Sequence, residues 1–143
     1  MELVDILKRK NMNVVEMPNE GSSLRKQWEK NFASHITASE KDKIFLYDTD
    51  GTSGFLWHIF SYNKRDFFEG EKAEEDFNLQ SKKSCYIFYQ HSDHAFMIET
   101  ASTLNHRDLL DEEDIYVVDT EFTWTYVRTH ESGWCGPYYS RKK

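Results

Sequence analysis

Phe122-Thr123-Trp124-Thr125-Tyr126-Val127-Arg128-Thr129 decides the fold class. Its side chains alternate: Phe122, Trp124 and Tyr126 fall on one face of an extended chain, and Thr123, Thr125, Val127 and Thr129 on the other. Aromatic and β-branched residues suit a pleated, half-buried surface. The stretch predicts a strand with its aromatic face against helices. Ile115 to Asp119 predicts its partner, joined near Thr120-Glu121. Working toward the N-terminus, Cys85 to Gln90 and Ala95 to Glu99 predict a second pair, joined by His91-Ser92-Asp93-His94. Ile44 to Tyr47 and Phe55 to Tyr62 flank the turn-rich Asp48 to Gly54 and predict a third. Phe55 to Tyr62 is apolar on both alternating faces, the pattern of a central strand covered on both sides.

Helical spacing occupies the rest. Leu24, Trp28, Phe32 and Ile36 recur every fourth residue and predict one buried stripe, with Ser22 or Ser23 capping the helix start. Leu3, Ile6 and Leu7 predict a short helix over residues 2–10, and Val14-Val15 a brief strand after it. Thr37-x-x-Glu40 fits a capping box. Residues 70–78 predict a charged helix that buries Ala73 and Phe77. A short helix is expected around Leu104 to Leu110, with Thr103 or Asn105 as its cap. Together these readings predict one α+β domain over residues 1–143, a largely antiparallel sheet of about six strands with helices mainly on one face.

Composition bounds the function. The chain has 143 residues, with 22 aromatic side chains (Trp 4, Tyr 8, Phe 10) against Gly 6 and Pro 2, which excludes disorder and collagen-like repeats. No apolar run approaches the ~20 residues of a membrane span, and the start lacks the pattern of a secretory signal. A soluble cytoplasmic protein is expected. Eighteen basic against twenty-five acidic residues leave a net charge of −7, which disfavours nucleic acid as a partner, and no membrane partner is expected. The acidic stretches Asp66 to Asp76 and Asp108 to Glu121 suit a solvated face or a basic partner protein. Cys85 and Cys135 are expected to stay reduced.

Chemistry-bearing residues gather at three places. His91-Ser92-Asp93-His94 carries two imidazoles and a carboxylate at a hairpin tip. His91, Asp93 and His94 are therefore the candidate metal ligands, set against a plain polar turn with Asp93 bonded to backbone N–H groups. His58 reads as a core histidine or as an acid–base group in an aromatic pocket. His130-Glu131 offers a further acid–base pair. The candidate catalytic set is thus His58, His91, Asp93, His94, His130 and Glu131. No sequence pattern implies a cofactor. Asp48-Thr49-Asp50-Gly51 is half a calcium loop, but its closing twelfth position is Ile59. Trp134-Cys135-Gly136-Pro137 is similar to a thioredoxin motif, yet the second thiol is replaced by Tyr138. That tail reads as a turn in which Trp134 and Tyr138 pack down.

Several strings resemble one small bacterial family: Phe55 to Tyr62, Cys85 to Asp93, Tyr116 to Asp119, Phe122 to Val127 and Thr129 to Tyr138. It is the domain-of-unknown-function family four-two-seven-five, and the resemblance covers nearly the whole chain. It implies a bacterial cytoplasmic protein of one domain and carries no assigned activity. Two functions are therefore expected to compete. One is a non-catalytic, acidic interaction protein. The other is a small hydrolase or nuclease-like enzyme, metal-assisted or not, which needs at least two of the histidines to line one pocket.

Overall fold

Runs of β-branched and aromatic residues pair into strands, and the stretches between them satisfy their backbone groups as helices. The computed structural model describes residues 2–47 and 54–142. In chain order these form α1 (Leu3–Arg9), β1 (Val14–Met17), α2 (Gly21–Phe32), α3 (Ala38–Lys43), α4 (His58–Ser61), β2 (Phe68–Glu69), α5 (Glu71–Leu79), β3 (Cys85–Tyr89), β4 (Ala95–Ile98), a 3-10 turn (His106–Leu109), β5 (Ile115–Asp119), β6 (Trp124–Arg128) and β7 (Tyr138–Arg141). Every strand pairing is antiparallel, in the order β1-β4-β3-β5-β6-β7-β2.

Alternation along the strands gives the sheet two apolar faces, and both are covered. On one, Tyr116, Val118, Val127 and Phe88 meet Leu24, Trp28 and Phe32 of α2, together with Trp57, Ile59 and Phe60. On the other, Ile87, Val117, Trp124 and Tyr126 meet Leu3 and Leu7 of α1 and Ala73 and Phe77 of α5. The first face stacks Phe88 on Tyr116, and the second stacks Phe77 on Tyr126, with centroids 4.2 Å apart, and Trp124 on Tyr139. The helices are thus divided between the two faces, where the sequence predicts them mainly on one. The threonines of β6 account for the difference. Thr125 is buried because its hydroxyl donates to the Val117 carbonyl at 3.0 Å and accepts from the Trp28 indole at 2.9 Å. A satisfied hydroxyl costs little to bury.

The sequence reading is otherwise corrected in three places. Residues 44–47 and 55–62 are not paired strands. They touch through one backbone bond, Phe55 N–H to the Phe45 carbonyl (3.1 Å), but Phe45 has φ 57°, and α4 begins at His58. A wholly apolar run shows burial without showing period. Of the turn expected between them, Asp48 to Gly54, residues 48–53 lie outside the described residues. Second, α2 starts at Gly21, so Ser22 and Ser23 lie inside it and cap nothing. Third, the C-terminal segment is no tail. Tyr138–Arg141 is a sheet strand, Tyr138 is buried, and Trp134 is 89% exposed. The Thr37–Glu40 capping box forms as expected, with Glu40 N–H donating to Thr37 Oγ1 at 3.2 Å. Asn105, not Thr103, caps the 3-10 turn.

Among the described residues, no helix is long and apolar enough to cross a membrane. Cys85 and Cys135 are both free.

Candidate functional site

Gln90, just past the end of β3, positions the segment that builds the site. It is buried, and its side-chain oxygen accepts from the Leu56 amide (2.9 Å) and from the Tyr116 hydroxyl. The same hydroxyl accepts from the Trp57 amide at 3.2 Å. A non-helical stretch can lie against a sheet end only if its polar groups find such partners. Held this way, residues 55–57 place the half-buried Phe55 ring among three imidazoles. Its centroid lies 5.4 Å from that of His58, 5.2 Å from His91 and 5.0 Å from His130. Trp57 packs behind it, 5.1 Å from Phe55 and 4.8 Å from His58.

Asp114 organises the far side. One carboxylate oxygen accepts from the Trp57 indole at 3.0 Å and from the His130 amide at 3.1 Å. The same oxygen lies 3.0 Å from His130 Nδ1, while His130 Nε2 lies 3.2 Å from Glu131 Oε2. Both ring nitrogens therefore face carboxylates, an arrangement met in full only by the doubly protonated imidazolium. Burial draws the His130 pKa down, but the Asp114 hydrogen bond and the charges of Asp114, Glu131 and Glu113 outweigh it, and the value is raised.

The remaining candidates go elsewhere. Asp93 pairs with Arg25 at 3.2 Å, and the Arg25 guanidinium also donates to the carbonyls of Tyr89 and Ser92. That guanidinium, with the Gly21 amide bonded to the Asp93 carbonyl (2.8 Å), clamps the 91–94 turn onto α2. His94 lies 3.4 Å from Glu16 of β1, and its ring packs on Phe96. The side chains of His91, Asp93 and His94 thus go to three different partners. Among the described residues, no three or more His, Cys, Asp or Glu side chains are grouped to hold a metal ion. Beside His91 a cavity of about 560 Å³ opens between α2 and the turn, lined by Arg25, Glu29, Tyr47, Leu56 and Gln90. Burial and the Glu29 carboxylate push the Tyr47 hydroxyl up to about 12. Burial, with the Glu131 charge, raises the Cys135 thiol, so it is not a prepared nucleophile.

Sequence reasoning missed Phe55, Trp57 and Asp114 as parts of one site. Asp114 sits within an acidic run where its neighbours look equivalent. Its φ of 50° is what distinguishes it, and that is visible only in the fold.

What the arrangement offers chemically is a set of aromatic faces with carboxylates alongside, a surface suited to cationic side chains. No curated protein and no solved structure matches the chain. The family model for the domain of unknown function DUF4275 matches residues 1–139, nearly the whole chain, and the protein belongs to that family.

Proposed function

We propose that this chain is a non-catalytic interaction protein whose Phe55-centred face holds a basic partner protein. One observation carries the reading: exposed aromatic residues border the Phe55 cluster, which has carboxylates beside it. Phe45 is 56% and Tyr62 45% exposed, and both adjoin His58, the first through its carbonyl and the second through its ring. On the other side of the Phe55 ring, Glu131 and Asp114 flank His130. Exposed apolar side chains gathered in one patch mark contact surfaces, and aromatic residues supply most of the binding energy at such surfaces. The net charge of −7 would speed encounter with a basic protein. We read the setting as a bacterial cytoplasm, and the two free thiols support a reducing compartment.

Immobilised protein challenged with cell lysate should retain a basic protein at about 50 mM salt and release it at about 500 mM. The Phe45→Asn/Tyr62→Ser variant should lose it. Absence of any retained basic protein, retention indifferent to salt, or retention by the double variant overturns the reading.

A second reading, a small hydrolase, is supported by the convergence of His58, His91 and His130 on one ring. His130, oriented by Asp114, would be the acid–base group. It predicts hydrolysis of generic ester or phosphoester probes that His130→Gln abolishes. No turnover above the variant's background rejects it.

A further inference from the structure

Gln90 anchors residues 55–57 with only half of its amide. Its side-chain oxygen accepts from both the Leu56 amide (2.9 Å) and the Tyr116 hydroxyl, which fixes which way the amide points. Nε2 is left on the opposite side, and among the described residues its two N–H groups reach no acceptor. The residue is 7% exposed, and a buried polar side chain with unused donors is uncommon. Among the described residues, the fully enclosed side-chain atoms without a partner are Tyr126 Oη and Arg128 Nε. Nε2 is not sealed in this way. Gln90 lines the cavity of about 560 Å³ between α2 and the 91–94 turn, within the ~300–1,000 Å³ usual for small-ligand sites.

The lining converges from one side of the sheet. Gln90 follows Phe88 in the alternation of β3, so it falls on the α2 face, where Leu46 and Leu56 of the same core join it. Ser22, Arg25, Lys26 and Glu29 are spaced as one face of α2 and complete the wall. Arg25 ties that face to the strand end, its guanidinium donating to the carbonyls of Tyr89 (2.9 Å) and Ser92 (2.5 Å), on either side of Gln90.

The charges here differ in what they leave free. Asp93 is paired with Arg25 at 3.2 Å, and Glu29 holds Lys41 at 2.8 Å as well as the Tyr47 hydroxyl. Lys26 is exposed, and among the described residues no carboxylate lies within 4.0 Å of it. The unused polar groups of the cavity are therefore donors: the Nε2 amide, the Lys26 ammonium and the Ser22 hydroxyl. One uncompensated positive charge calls for one negative charge. An ammonium ligand would find both lining carboxylates already paired, and a phosphomonoester would bring up to about twice the charge that Lys26 can match. A carboxylate supplies acceptors with a single charge, and Leu46 and Leu56 offer an apolar surface to the chain behind it.

We propose that this cavity binds a small aliphatic monocarboxylate, its carboxylate accepting from Gln90 Nε2, Lys26 supplying the opposite charge, and its chain lying on Leu46 and Leu56. The site does not depend on the basic partner proposed for the Phe55 face.

The test titrates the full chain at low salt with hexanoate, acetate, hexanol and hexylammonium, read by amide chemical shifts. Hexanoate should shift residues 22–29, 46–47, 56 and 90–93 and bind at least about tenfold tighter than acetate or hexanol, with hexylammonium inert. Gln90→Glu keeps an oxygen for Leu56 and Tyr116 but sets a second one in the place of Nε2, so it should weaken hexanoate by about tenfold or more. Lys26 is exposed, so Lys26→Gln spares the core and should weaken hexanoate by about threefold or more. Lys30→Gln, exposed and outside the lining, should leave binding unchanged. No binding, shifts confined to other residues, affinity no better than that of acetate, hexanol or hexylammonium, or undiminished binding by Lys26→Gln each overturns the proposal. Neither the wild-type shift map nor Lys26→Gln depends on how well Gln90→Glu folds.

Discussion

His130 Nδ1 lies 3.0 Å from Asp114 Oδ1, and this contact ties the loop after β6 to the residue just before β5. Because the folded protein holds the His130 proton more tightly than an ordinary histidine near 6.5, the ion pair stabilises the fold most at low pH. Its contribution is complete below the unfolded value and disappears as pH rises through the higher folded one. A titration of the His130 ring signals should give a midpoint above 6.5, and Asp114→Asn should lower it. In urea melts, the stability difference between wild type and His130→Gln should shrink from pH ~6 to ~8. A midpoint at or below the ordinary value rejects the bridging geometry.

Gln90→Leu tests how the site is built. The substitution keeps bulk but leaves the Leu56 amide and the Tyr116 hydroxyl without their shared acceptor. Each buried, unmet group costs about 1–3 kcal/mol, so a loss of ~2–6 kcal/mol is expected in urea denaturation. Hydrogen exchange at the Leu56 amide should rise, and Trp57 fluorescence should shift as residues 55–57 loosen. Unchanged exchange at Leu56 would show that something else holds the segment.

Gly21→Ala asks whether the 91–94 turn is fitted to α2. A Cβ at residue 21 would lie 2.5 Å from the Ser92 carbonyl oxygen and 2.7 Å from Asp93 Cα, and both are backbone atoms with little room to yield. Despite the better helix propensity of alanine, the variant should lose about 1–3 kcal/mol. A gain in the urea midpoint would contradict the close approach.

Where pattern and burial agree, the sequence was readable. The four-residue stripe of Leu24, Trp28 and Phe32 is the buried face of α2, its expected fourth member Ile36 being buried past the helix end; Ala73 and Phe77 are the buried face of α5, and β3 to β6 follow the alternation of their side chains. Trp124 and Tyr126 do face a helix, α5. Phe122 departs from them because it precedes the strand at φ 56° and turns its ring to the other core, beside Tyr86.

Legibility failed where tertiary partners override local pattern. Residues 55–62 are apolar enough for a strand, yet the segment is anchored by Gln90 and Tyr116, which are distant in sequence. β7 follows Gly133 and Gly136, at φ 104° and 99°, residues that look like the end of order. The histidines were visible as residue types. That three of them share the Phe55 ring depends on where residues 55–57 come to rest, and no spacing encodes it.

Arg65 ties α2 to the margin of the sheet, its guanidinium donating to the carbonyls of Phe32 (3.1 Å), Arg141 (3.1 Å) and Lys142 (2.9 Å) and to Ser140 Oγ (3.3 Å). β2 pairs only with Tyr138 and Tyr139, so past them β7 would present bare carbonyls to the surroundings. The Arg141 carbonyl and, just past the strand, the Lys142 carbonyl are occupied by a single guanidinium, which makes this side chain a substitute for a missing strand. A long cation in that place also repels the approach of a second sheet margin, a common natural guard against intermolecular β-assembly. Losing it would expose a sticky border and unpair the acceptors it holds, so precipitation of still-folded molecules would accompany a lowered melting temperature.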